Sequence, residues 1–70
     1  MKPSIGDKLR LKTRPDYLKT ADPMPMLRPP DLVNINEVGE VVALLPGRTV
    51  ALRCQRGTFL LSLDLLEPLI

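Results

Sequence analysis

Between Lys8 and Lys12 the apolar residues Leu9 and Leu11 alternate with Lys8, Arg10 and Lys12. A period of two puts the leucines on one face and the cations on the other, so DKLRLKT predicts a strand with one wet face. Gly6 before it and Arg14-Pro15 after it punctuate the ends. The alternation returns in VGEVVALL, Val38–Leu45, with Val38, Val42 and Leu44 on one face and Val41, Ala43 and Leu45 on the other. Gly39 there signals a bulge or a close backbone approach. Pro46-Gly47 predicts a tight turn, because proline fixes φ and glycine supplies positive φ. In the next strand, Arg48–Cys54, Val50, Leu52 and Cys54 alternate with Thr49, Ala51 and Arg53. Gln55-Arg56-Gly57 predicts a short hairpin loop, a type I turn closed by a glycine bulge. Thr58–Ser62 follows, with Phe59 and Leu61 inward. Leu63–Leu66 reads as a 3₁₀ turn and Glu67–Ile70 as a last short strand or tail.

From Arg14 to Glu37 no period holds. Pro15, Pro23, Pro25, Pro29 and Pro30 lack a backbone N–H, so the segment cannot be a central strand. It predicts one long, locally extended loop. Tyr17, Leu18, Met24, Met26, Leu27, Leu32, Val33 and Ile35 are too many apolar groups for a solvated linker, so much of the loop is expected to fold back on the domain.

The order is strand, long loop, three strands joined by tight turns, a short turn and a final strand. No amphipathic helix interrupts it. The predicted fold class is all-β, an SH3-like small barrel of about five strands with a proline-rich loop after the first. Closure on itself removes sheet edges that a domain without helices cannot cover. Residues 1–70 form a single domain, with its core at about 5–67 and the long loop at 14–37.

Composition sharpens this picture. Seventy residues hide only ~60% of the unfolded surface, so the core is thin. With one cysteine and no histidine, neither an internal disulfide nor a Cys/His zinc site can form. The lone thiol favours a reducing compartment. No apolar targeting segment follows MKPSI, and no apolar run approaches the ~20 residues that span a bilayer. The chain reads as soluble and cytoplasmic, a monomer without membrane insertion. Its net charge of +2 is uneven. Residues 1–20 carry six cations and two acids, residues 21–40 one cation and four acids, and residues 41–70 three cations and two acids. A basic end beside an acidic middle suggests a charge-complementary partner.

Catalytic chemistry finds no support. Without histidine, no Ser-His-Asp or Cys-His arrangement can form. Cys54 keeps step with Val50 and Leu52, so it reads as a buried small hydrophobe rather than a nucleophile. Asp31 and Glu37 read as loop-capping groups, and the four glycines form no phosphate-cradling run. The chain is therefore expected to be no enzyme and to hold no metal or cofactor.

Two binding classes remain. Lys8, Arg10, Lys12 and Arg53 form a candidate basic face for nucleic acid. The small net charge and only two aromatics, Tyr17 and Phe59, disfavour that use. A protein-binding module fits ADPMPMLRPPD better. Met24, Met26 and Leu27 are adaptable apolar groups, Arg28 is a favoured interface anchor, and Pro23, Pro25, Pro29 and Pro30 stiffen the loop beforehand. Lys19, Met24, Met26, Leu27 and Arg28 are thus the candidate partner-binding residues. The same methionines and Leu27 could equally plug one end of a barrel. No two prolines stand three apart, so the loop is not an ordinary SH3 ligand.

YLKTADPMPMLRPPDLVNINEVGEVVAL, followed by VALRCQRGTFLLSLDLLE, resembles the SipA family of small cyanobacterial regulatory proteins. The resemblance spans about Ile5 to Leu66 and is most specific in Lys19–Val33. It implies an SH3-like fold and docking on the catalytic region of an NblS-type sensor histidine kinase. The function it implies is modulation of that kinase in two-component stress and high-light signalling. The alternatives are a nucleic-acid-binding small barrel and a small docking subunit of a photosynthetic complex.

Overall fold

The computed structural model describes residues 2–21, 27–28 and 32–69, with Arg28 described by its backbone. The described residues hold seven strands: β1 (Lys8–Leu11), β2 (Leu18–Thr20), β3 (Leu27–Arg28), β4 (Val38–Leu45), β5 (Thr49–Cys54), β6 (Gly57–Ser62) and β7 (Leu66–Pro68). They form one sheet in the order β3-β2-β6-β5-β4-β1-β7, every neighbouring pair antiparallel. The chain is all-β, with a 3₁₀ turn at Leu63–Leu65. None of its described residues belongs to a helix long and apolar enough to cross a membrane.

The expected count of about five strands is corrected to seven, because the long loop contributes two of its own. β2 lies between Pro15 and Pro23 and pairs with β6 through Lys19↔Leu60 and Thr20↔Phe59, and β3 then pairs with β2. Proline limits these strands to two or three residues, too short for a period to show in sequence. The described ends of the loop fold back, since Leu18 and Val33 are fully buried and Leu32 packs against the core. Tyr17, Leu27 and Ile35 stay exposed. Met24, Met26, Pro23, Pro25, Pro29, Pro30 and Asp31, together with the Arg28 side chain, lie outside the described residues.

The meander β4–β5–β6 forms where the turn chemistry placed it. Gly47 has φ 77° and Arg48 φ 58°, so the turn absorbs Arg48 and β5 begins one residue later than expected. At the next turn Cys54 pairs with Gly57, whose φ of 144° an L side chain rarely adopts. Ser62 ends β6 and accepts the Asp64 N–H on its hydroxyl at 3.2 Å, which caps the 3₁₀ turn.

Gly39 proves to be a close approach, not a bulge. A Cβ there would lie 2.6 Å from Leu52 Cγ and 2.9 Å from the Arg53 carbonyl oxygen. The bulge falls instead between Val41 and Ala43, where the β4–β5 register shifts. One extra residue resets the alternation, so the expected two-face split of β4 fails. Val41 opposes Leu52 and is fully buried, whereas Val38, Val42, Leu44 and Leu45 are all at least a third exposed. The core gathers Leu9, Leu11, Leu18, Val33, Val41, Val50, Leu52, Cys54, Phe59, Leu61, Leu63 and Leu66.

Leu52 sits at its centre, opposite Val41 on one side and Phe59 on the other. Leu52→Ala should cost ~2–5 kcal/mol in denaturant unfolding. Gly39→Ala should cost ~1–3 kcal/mol by overpacking the same contact from the other side. A variant pair that unfolds at the wild-type midpoint would show that this contact does not hold the core together.

Candidate functional site

Residues directly opposite on antiparallel strands project from the same face. On the side away from the core, Leu27 opposes Lys19, Lys19 opposes Leu60, Leu60 opposes Ala51 and Ala51 opposes Ala43. These pairs make one row across β3, β2, β6, β5 and β4. Leu27 is 67% exposed, Lys19 is exposed, and Leu60 and Ala43 are half-buried. Ala51 is nearly covered yet stands outside the core cluster. Val42 and Leu45, both partly exposed, extend the apolar surface beside Ala43. An open groove of about 370 Å³ takes in two members of the row, Lys19 and Leu60, and is lined besides by Pro15, Asp16, Tyr17, Thr49, Leu61, Ser62 and Leu65. Tyr17 is 57% exposed at its rim.

The candidate basic residues meet carboxylates of the same chain. Lys8, Glu40 and Arg53 lie in one row across β1, β4 and β5. Glu40 Oε1 accepts from Lys8 Nζ at 3.3 Å and from Arg53 at 3.1 Å. Arg10 Nε donates to Glu67 Oε1 at 2.8 Å across β1 and β7. Lys12 is exposed and forms no ion pair among the described residues. The surface is therefore a mixed-charge lattice, and its field toward phosphate is weaker than four free cations would give. The Lys8 hydrogen bond, then the Lys8 and Arg53 charges, hold the Glu40 carboxyl below its ordinary range. Any stability this adds is present above the unfolded value and is lost as pH falls through the lowered folded value. Both partners are exposed, so salt screens the contribution.

Cys54 is buried in the core cluster, and its Sγ donates weakly to the Leu52 carbonyl oxygen at 3.7 Å. Burial pushes the thiol up to about 11, and the Glu37 carboxylate adds to the shift. That carboxylate caps the loop, accepting from the N–H groups of Asn34 at 3.2 Å and Gln55 at 3.3 Å. Among the described residues no three His, Cys, Asp or Glu side chains gather as a metal site.

Of the partner-binding candidates, the structure brings Lys19 and Leu27 side by side on the outer face. Arg28 opposes Leu18 along the backbone. Sequence reasoning missed Leu60, Ala51 and Ala43, and with Leu60 the groove that it lines. One signal was present: Leu60 is an apolar residue at an outward position between Phe59 and Leu61, in a strand otherwise flanked by Thr58 and Ser62.

The Cys54 environment generates a pH prediction. The thiol stays protonated in the fold between its ordinary 9.0 and about 11, while the unfolded chain ionises. Stability should therefore hold below pH 9.0 and fall as pH rises through this window. Native-state labelling at pH 8 should be slowed at least ~100-fold relative to the urea-unfolded chain, because the thiol is both buried and neutral. Equal rates in the two states would show an exposed, reactive thiol.

Comparison with known proteins adds a family and corrects an expectation. The sequence model of the CRR42-like family, described as Protein CHLORORESPIRATORY REDUCTION 42-like, matches residues 5–66. The comparison with curated proteins gives no match, and the comparison with solved structures gives none either. The matched span contains the whole stretch that resembles SipA, so that resemblance is overturned and the sensor kinase it implied loses its basis. The chain belongs to the CRR42-like family.

Proposed function

We propose that this chain is a non-enzymatic protein-binding module that docks on a larger protein assembly through the outer row of β3, β2, β6, β5 and β4. The observation that carries the reading is the row itself: four of its five members, Leu27, Leu60, Ala51 and Ala43, are apolar on a face that ought to be wet. Apolar cores ringed by polar groups are the usual anatomy of a protein interface. Thr49, Ser62, Asp16 and the Tyr17 ring supply such a rim here. The chemistry is recognition alone, with affinity concentrated in a few large side chains, Leu27, Leu60 and Tyr17.

The fold in this reading is an SH3-like barrel. The strand order β7-β1-β4-β5-β6, with a 3₁₀ turn before β7 and a hairpin inserted after β1, supports it. The family description speaks of chlororespiratory reduction, not of signalling. A small docking subunit of a photosynthetic assembly is therefore the reading kept, in a reducing compartment that suits a single buried thiol.

The test is capture with a tagged chain from the lysate of its source, with and without nuclease, read by quantitative mass spectrometry. A protein assembly should be recovered equally in both arms. Leu60→Asp should lower recovery at least ~tenfold while the melting curve stays near wild type, because it places a charge in the centre of the contact. Loss of every partner after nuclease treatment would favour the nucleic-acid reading instead.

A further inference from the structure

The outer row holds a single charge. Lys19 stands between Leu27 and Leu60, directly opposite both. Neighbours so placed have their Cβ atoms about 5 Å apart, which puts a leucine within reach of the lysine stem on either side. Lys19 forms no ion pair among the described residues. Of the other cations on the outer face, Lys8, Arg10 and Arg53 have carboxylate partners, while Lys12, outside the apolar row, has none among the described residues. Asp16 shares the groove with Lys19, yet the two form no ion pair.

A partner that covers this row takes the Lys19 ammonium out of water between two leucines. A charge buried without a counter-charge weakens a complex severely, and one met by a hydrogen-bonded opposite charge does not. The geometry points to a partner protein surface that presents an Asp or Glu side chain flanked by apolar residues, with the carboxylate seated on Lys19 Nζ. This rests on the docking reading above and adds the chemistry of the occupant. It also gives the docking a register, since an apolar row alone would slide whereas one charge pair fixes position.

Carbodiimide coupling joins an amine only to a carboxylate in contact with it, so it reads this pair directly. Applied to the assembly captured by the tagged chain, it should yield a peptide linking Lys19 to an Asp or Glu of another protein with apolar neighbours. Lys19→Arg should abolish the link and keep capture, since arginine retains the charge but not the amine. Lys19→Glu should lower capture at least ~tenfold by opposing like charges. Unchanged capture by Lys19→Glu overturns the inference. So does a Lys19 link to Asp16 of a second copy, which would make the row a homodimer face. If Lys19→Glu is silent while Leu60→Asp loses the assembly, only the carboxylate falls; if both are silent, the docking reading falls with it.

Discussion

The fold depends on the approach of β4 to Leu52. Among the described residues no α-helix lies over the core, so the strands themselves must gather the apolar side chains. Leu52 fills the centre of that face, fully buried, and Gly39 makes the space for it by having no side chain. Two residues along β4, the extra residue at the Val41/Ala43 bulge bends the strand and raises its twist. Close approach and bulge together let β4 pair with β1 at its beginning and with β5 along its length. The position of every outward side chain follows from that register, the Leu27 to Ala43 row included.

Charge is arranged around the same register. The basic N-terminal third of the sequence is balanced in space by acids distant along the chain, Lys8 by Glu40 and Arg10 by Glu67. Each pair is a cross-strand neighbour, so β1 brings its own counter-charges when it pairs with β4 and β7. Exposed pairs of this kind contribute little to stability. Their effect is to neutralise part of the outer face; among the described residues Lys12 and Lys19 form no ion pair, and of these two only Lys19 stands in the apolar row.

Much of the meander was legible in the residues. Pro46-Gly47 and the alternation Val50, Leu52, Cys54 are local signals, and β4, β5 and β6 lie within a residue of where they point. The misses are non-local. A bulge is a property of two paired strands, and VGEVVALL read alone gives no sign of where its alternation breaks. β2 and β3 owe their existence to pairing with β6 and with each other. Lys19 and Leu27 were candidates because one stands beside and the other within a conspicuous proline-rich stretch. Leu60, Ala51 and Ala43 join them only through a register spanning five strands, which no sequence window contains. The SipA resemblance, which spans about Ile5 to Leu66 and is most specific in Lys19–Val33, gives way to the CRR42-like match over residues 5–66.

The central claim is that the outer row, and not the rest of the apolar surface, meets the partner. Val38 and Ile5 are also exposed, at 45% and 66%, and serve as internal references. Hydroxyl-radical footprinting of the chain, free and within its captured assembly, measures side-chain cover at all of these positions at once. The account predicts that oxidation of Leu27, Leu60 and Tyr17 drops several-fold on assembly while Ile5 and Val38 stay unchanged. Protection at Ile5 and Val38, with Leu27 and Leu60 oxidised as in the free chain, would contradict it.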